Sequence, residues 1–173
     1  MSLVLISNNG VVMGETDMDL DRLDGRILTE LQSDGRRSVV ELAEAIGLSG
    51  TPCARRIRLL EQAGIIAGYT AIIDPARIGL KVQAFVQVKL ERHTDEHVAN
   101  FRREIESLED VVGCYATTGQ SDFLLQVLAL DLDALSHLVL KKLLKIPGVR
   151  DVHSSIVLDT LKRSARVPVG HVG

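Results

Sequence analysis

The sequence of 173 residues is poor in cysteine: it contains only Cys53 and Cys114, far apart and without histidines at a metal-ligand spacing. This scarcity excludes a disulfide framework and a Cys–His zinc cluster. The chain also lacks any apolar run near the ~20 residues that span a bilayer, and residues 1–16 lack the basic start of a secretory signal. We therefore predict a soluble, cytoplasmic protein without membrane contacts.

Motifs for catalysis are equally scarce. The sequence has no P-loop, dinucleotide-binding or nucleophile-elbow motif, so nucleotide-dependent and acyl-transfer chemistry lack support. The segment "HTDEH" fits an inverted zincin pattern, but Thr94 is a natural helix N-cap, which places His93 outside the helix that carries His97. We interpret both histidines as surface residues and predict no catalytic residue, no metal and no cofactor.

Three short helices are predicted in the first half of the chain. Apolar residues recur at helical spacing over 23–32, and Ser38 with Glu41 forms a capping box for a second helix. A third helix carries Pro52 in its first turn, where a missing N–H is tolerated, and Gly64 ends it.

The segment that follows the third helix, "IIAGYTAIID" (65–74), predicts two short β-strands around Gly68. Three helices followed by a β-ribbon make a winged helix-turn-helix, whose last helix enters the DNA major groove.

The second half alternates strand, helix, strand, strand, helix, strand. The predicted strands are 84–90, 111–117, 123–130 and 149–157, and the predicted helices are 95–107 and 132–145. This order is the ferredoxin-like βαββαβ plan, so the fold class is α+β. The predicted division is a tail over 1–18, a winged helix-turn-helix domain over 19–75, a linker over 76–82, a ferredoxin-like effector-binding and oligomerisation domain over 83–168 and a tail over 169–173.

The predicted sheet has helices on one face only. Its strands carry Val, Leu and Phe along both alternations, as in "FLLQVLAL". A bare apolar face of that size is an aggregation hazard on a monomer, so we predict a homodimer that packs sheet against sheet.

The third helix concentrates positive charge in a chain of net charge -3, because Arg55, Arg56 and Arg58 fall within four positions. A solvated charged face is the ordinary interpretation of such a cluster. In a helix-turn-helix, however, the same cluster suits double-stranded DNA, with Thr51 and Arg55 near base edges and the other arginines near phosphates. The predicted DNA-binding residues are Arg36, Arg37, Ser49, Thr51, Arg55, Arg56 and Arg58, and a two-fold dimer implies a pseudo-palindromic operator.

The stretches "LDRLDGRILTELQSDGR", "ELAEAIGLS" and "TPCARRIRLLEQAGIIAGYTAIIDP", with the later "IPGV", resemble the Lrp/AsnC family of prokaryotic transcription regulators. The resemblance covers about 20–168. It implies a DNA-binding domain, a ligand-binding domain that forms dimers and often octamers, and an amino acid as effector, with genes of amino-acid metabolism or transport as targets.

The same resemblance implies an effector site near the loop between the second and third strands of the ligand domain and near the last strand of a neighbouring subunit. The corresponding residues here are Thr118, Gly119, Asp122, Ser154 and Ser155. Glycine lets backbone N–H groups approach a carboxylate, and the aspartate accepts from an α-ammonium group. A plain hairpin turn with a solvated aspartate is the alternative.

Two positions depart from the family pattern. The loop reads Gly119-Gln120-Ser121-Asp122 where the family commonly has Gly-Asp-x-Asp, and Gly50 stands where the family has proline before "TPC". The first change bears on which amino acid is bound, and the second loosens the start of the third helix. An alternative function, also by resemblance, is a sirohaem-decarboxylase-like enzyme on the same two-domain scaffold.

Overall fold

The computed structural model describes residues 18–92, 94–162 and 166–172, which fold into two compact units. The first unit comprises residues 18–71 and 166–172, and the second comprises 72–162. The boundary between the units lies between residues 71 and 72, and residues 166–168 group with the helical unit rather than with the sheet. Within the described residues, no helix has the length and apolar composition needed to cross a bilayer.

The first unit contains three α-helices: α1 (Arg22–Ser33), α2 (Val39–Ile46) and α3 (Gly50–Gln62). The predicted capping box of α2 is confirmed, because Ser38 accepts from the Glu41 N–H and the Glu41 carboxylate accepts from the Ser38 N–H. Asp21 and Asp24 form a second capping box on α1.

The three helices bury one apolar core. Each contributes residues that are fully inaccessible to solvent. The most buried members are Ile27, Leu42, Ile46, Cys53 and Leu60. Burial raises the pKa of the Cys53 thiol.

The predicted β-ribbon after α3 is wrong, because residues 65–74 form no strand. The N–H groups of Ile65 and Ile66 both donate to the carbonyl of Leu60, at 3.0 and 3.1 Å, and so close the end of α3. Their side chains pack against the helical core. The residues that remain before the predicted turn are too few to form the first strand of a hairpin. After that turn, the Tyr69 hydroxyl donates to Glu61 on α3.

The second unit confirms the α+β prediction. Its elements are β1 (Val82–Leu90), α4 (Asp95–Glu106), β2 (Val111–Ala116), β3 (Phe123–Ala129), α5 (Leu132–His137) and β4 (Val149–Ile156). The strands form one antiparallel sheet in the order β2-β3-β1-β4. This order is that of a ferredoxin-like fold.

The second helix changes its winding along its length. It is α-helical to His137, then π-helical over Leu138–Lys142 and 3-10 over Leu143–Lys145. Leu138 and Leu143 lie five positions apart, which a π-helical turn places on one side, and both are buried. The prediction of a single helix over 132–145 missed this change.

Both helices cover the same face of the sheet. Their buried residues Phe101, Ile105, Leu135 and Leu138 pack with the β1 side chains of Ala84, Val86 and Val88. The opposite face, which we call the outer face, alternates amide and apolar side chains, because strand pairing sets Gln83 opposite Leu128, Phe85 opposite Gln126 and Gln87 opposite Leu124. The outer face is therefore less apolar than predicted.

Candidate nucleic-acid interface and ligand cavity

One face of α3 carries exposed side chains. Thr51, Arg55 and Arg58 are all exposed, and their spacing of four and three residues places them on one side of the helix. Among the described residues, neither the Arg55 nor the Arg58 guanidinium has an ion pair or hydrogen bond. Both charges are therefore available to an anionic partner.

The N-terminus of α3 differs from those of α1 and α2. Its N-cap is the exposed Ser49, whose side chain makes no capping hydrogen bond, and the first turn contains no acidic residue. The first-turn N–H groups of a helix carry partial positive charge and suit phosphate oxygens. This end of α3 adds to the positive character of the face with Arg55 and Arg58.

Arg56, also predicted as a phosphate contact, does not lie on that face. Its Nη1 lies 2.8 Å from Asp24 Oδ1 and its Nη2 lies 2.8 Å from Asp21 Oδ2. The Asp24 side chain is only 3% exposed and that of Arg56 24% exposed. Arg56 therefore joins α3 to the start of α1 through a partly buried ion pair.

Two groups of this network have pKa values shifted in favour of their charged forms. The backbone N–H of Asp24 and the Arg56 guanidinium lower the pKa of Asp21. Hydrogen bonds to Asp24 and then to Asp21 raise the pKa of Arg56. At the α2 cap, hydrogen bonds from Ser38 lower the pKa of Glu41.

The two arginines between α1 and α2 have different environments. Arg37, also predicted as a phosphate contact, forms an ion pair with Glu30 of α1. Arg36 is exposed, and in the described part of the chain only its backbone N–H is engaged, at 2.9 Å from the Asp34 carboxylate. Of the two, Arg36 is the one whose side chain is open to DNA.

The loop between β2 and β3 is tied to β1 through Asp122. Its carboxylate accepts from the Leu90 N–H at 2.7 Å, and its own N–H donates to the Val88 carbonyl at 2.9 Å. Asp122 is therefore not a plain solvated turn residue. Its carboxylate is already engaged by the Leu90 N–H, so a ligand would have to share it. Gly119 has a φ of 115°, a conformation that favours glycine, and it is exposed with Thr118.

A cavity of about 230 Å³ lies beside this loop. It is lined by Gln87, Val88, Lys89, Gln120, Ser121, Asp151 and His153. Its rim combines a cation, Lys89, with a carboxylate, Asp151, whose Oδ2 lies 2.9 Å from His153 Nε2. We call it the charged cavity. Sequence reasoning missed the residues from β1 and β4, although their alternation of polar and apolar residues was the available signal.

Ser154 and Ser155 do not act together on one ligand within a subunit. Ser154 pairs with the buried Val86 of β1 and Ser155 with the outer-face Phe85, so their side chains point to opposite faces. Neither serine lines the charged cavity. The predicted effector residues are thus brought only partly together.

The two histidines of the "HTDEH" segment are predicted to be surface residues that bind no metal. His93 lies outside the described residues. His97 is half-buried, and its ring lies against Gly148, where an added Cβ would be 3.2 Å away. Across the described ranges, no group of three or more His, Cys, Asp or Glu side chains could hold a metal ion.

Both units match domains of known proteins. Residues 20–61 match the AsnC-type helix-turn-helix domain, and residues 83–167 match the Lrp/AsnC ligand binding domain. The chain is 39% identical over 151 residues to the leucine-responsive regulatory protein of Escherichia coli strain K12. The aligned stretch covers 87% of this chain and 92% of that protein. The chain belongs to the Lrp/AsnC family.

Solved structures of Lrp/AsnC relatives share the fold. A transcriptional regulator of Neisseria meningitidis in complex with L-Met has a TM-score of 0.85 and 40% identity, over 88% of this chain and 98% of that one. An AsnC family regulator of Agrobacterium tumefaciens has a TM-score of 0.83 and 34% identity, over 88% and 99%.

This Lrp/AsnC chain is a DNA-binding transcription regulator with a helix-turn-helix and a ligand-binding domain. The relatives that match are transcription regulators, and these matches favour this function over the alternative of a sirohaem-decarboxylase-like enzyme.

Proposed function

We propose that this regulator binds a pseudo-palindromic operator as a dimer, through the exposed face of α3, and responds to an amino acid bound in the charged cavity. One observation carries the DNA-binding part. Arg55 and Arg58 are open to a partner, whereas Arg56, between them in sequence, is engaged by two carboxylates.

In this proposal each residue of the exposed face of α3 has its own role. Thr51 and Arg55, in the first half of the helix, read base edges in the major groove. Arg58 and the α3 N-terminus at Ser49 hold phosphates, and Arg36 adds a further phosphate contact from the preceding loop. Arg37 and Arg56 have no part in this interface.

The outer face of the sheet supports the dimer. Phe85 and Tyr115 are exposed there, at 37% and 54%, although both are large and apolar in body. Packing two such faces buries them and relates the two chains by a two-fold axis. The operator half-sites then lie about one helical turn, or a multiple of it, apart, and further assembly of dimers leads to the proposed octamer.

The salt dependence of operator affinity tests the phosphate contacts. Each phosphate neutralised gives a slope of about -0.9 in log affinity against log salt. We expect gel-shift titrations over a range of salt to give a steep negative slope that becomes shallower by about one for Arg58→Ala. A flat response in the full protein would contradict the phosphate contacts.

The charged cavity suits a zwitterion. Asp151 faces the α-ammonium group, while Lys89 faces the α-carboxylate and the Gln87 and Gln120 amides add hydrogen bonds. The L-Met complex of the Neisseria relative supports an amino acid as the class of ligand. Asp122, through its bond to the Leu90 N–H, holds the loop beside the cavity.

Calorimetry with the twenty amino acids tests this site. We expect at least one to bind, and Asp151→Asn to weaken it about tenfold or more, because a hydrogen bond to a charged group contributes about 1.5–3 kcal/mol. Glu104→Gln, an exposed acid on α4, is the matched control and leaves binding unchanged. Heat from none of the twenty, or full affinity in Asp151→Asn, would refute the site.

A further inference from the structure

The side chains around the charged cavity are polar. Val88 is the one apolar residue of its lining, and it is fully inaccessible to solvent because it packs in the core under the helices. Val88 therefore offers no exposed apolar side chain to a ligand. The other lining residues all carry a polar side chain: Gln87, Lys89, Gln120, Ser121, Asp151 and His153. The side chain of a bound amino acid thus meets hydrogen-bonding groups rather than an apolar pocket.

Strand pairing orders these groups along the sheet. Lys89 lies opposite Asp151, and Gln87 lies opposite His153. Residues two positions apart in a strand lie on the same face and are separated by about 7 Å. From the charged pair, the cavity extends to Gln87 on the strand and to Gln120 on the loop. A ligand held by the charged pair therefore directs its side chain towards a neutral amide in either direction.

Both amides are open to a ligand. The side chains of Gln87 and Gln120 are exposed, and neither forms a hydrogen bond with any other residue that the structure describes. Each carboxamide has two N–H donors and one carbonyl acceptor. An apolar ligand side chain laid against them displaces water without replacing its hydrogen bonds, which weakens binding. A polar ligand side chain replaces those bonds.

The charges of the cavity limit the ligand side chain further. Of the described residues that line it, Asp151 is the one carboxylate and Lys89 the one ammonium group, and the main-chain charges of the bound amino acid engage both. His153 already lies 2.9 Å from Asp151. A second charge on the ligand therefore loses water without gaining an ion of its own, and an uncharged side chain avoids this penalty.

We propose that the charged cavity selects amino acids whose side chain is uncharged and forms hydrogen bonds, as in threonine, asparagine and glutamine, over apolar amino acids. This inference rests on the proposed amino-acid site and names the class of ligand that it accepts. The selectivity arises because one class of ligand satisfies Gln87 and Gln120, whereas the other leaves them without partners.

Three pairs of amino acids test this selectivity. Threonine and valine, asparagine and leucine, and glutamine and methionine have side chains of similar size that differ chiefly in polarity. In calorimetry on the full chain, at one pH and salt concentration, we expect the tightest binder of the six to be polar. It should bind at least about fivefold more tightly than its apolar counterpart. A smaller preference, or a preference for the apolar ligand, would overturn the proposal.

Variants locate the preference in the cavity. Methionine replaces glutamine with little change in size but without the amide, so we expect Gln87→Met combined with Gln120→Met to lower the preference at least about threefold. Gln62→Met is the matched control and keeps the preference, because Gln62 is an exposed glutamine at the end of α3, outside the cavity. A merely structural role weakens both members of a pair equally. An unchanged preference in the double variant would overturn the proposal.

Calorimetry with all twenty amino acids separates this selectivity from the site on which it rests. If the tightest binder is apolar or charged, the amino-acid site stands and its selectivity for uncharged polar ligands fails. If none of the twenty binds, the amino-acid site itself is refuted, and the selectivity with it.

Discussion

The double variant Arg55→Ala, Arg58→Ala is expected to bind the operator at least about thirtyfold more weakly than the unaltered protein. Each lost contact to a base or phosphate costs about 1–3 kcal/mol, and 1.4 kcal/mol corresponds to a tenfold change in affinity. Both side chains are exposed and without an ion pair among the described residues. Their removal therefore changes the DNA interface while the core of the helical unit stays intact. Gel-shift titration at fixed salt measures the effect.

Arg22→Ala is the matched control for the double variant. Arg22 is an exposed arginine of the same unit, at the start of α1 rather than on α3. We expect it to reduce operator affinity by less than about threefold, through the general loss of one charge. Equal affinity losses in Arg22→Ala and in the double variant would show that charge, rather than the position on α3, determines binding.

Arg56→Ala has the largest expected effect on stability. It leaves the Asp24 carboxylate, 3% exposed, without its guanidinium partner. Removing one member of a buried ion pair typically costs about 3–5 kcal/mol, because the remaining charge stays buried without compensation. The exposed pair with Asp21 adds little to this value. Urea denaturation followed by circular dichroism measures the free energy of unfolding.

Two further variants separate the ion pair from the loss of side-chain packing. Arg56→Met combined with Asp24→Asn removes both charges, and we expect it to recover most of the lost stability. Arg56→Lys recovers less, because an ammonium group does not bridge two carboxylates as the planar guanidinium does. If Arg56→Ala unfolds at the same urea concentration as the full protein, the ion pair has no structural role.

Local signals in the sequence predict most of the secondary structure. The capping box at Ser38 and Glu41 gives the start of α2, and apolar alternation gives each strand of the sheet to within two residues. The β-ribbon fails because β propensity at Ile65 and Ile66 is local, whereas their N–H groups are taken by the end of α3. Competition of this kind depends on the folded helix and is absent from the pattern itself.

The site is less predictable than the fold. Arg55, Arg56 and Arg58 look equivalent in sequence, and only the meeting of Arg56 with Asp24, 32 positions away, separates them. The charged cavity likewise depends on the pairing of β1 with β4, which places Lys89 opposite Asp151. The spacing of side chains within one helix or strand can be predicted from the sequence, whereas contacts between elements that are distant in the chain cannot.

The amides on the outer face have a consequence for partner choice. A wholly apolar sheet joins any other apolar sheet, whereas in the proposed dimer Gln83 and Gln126 lose hydrogen bonds to water unless the partner chain supplies equivalents at matching positions. An identical copy supplies them by symmetry, and a paralogue with a different arrangement does not. We therefore expect the proposed dimer to form between identical chains in preference to pairs with a paralogue.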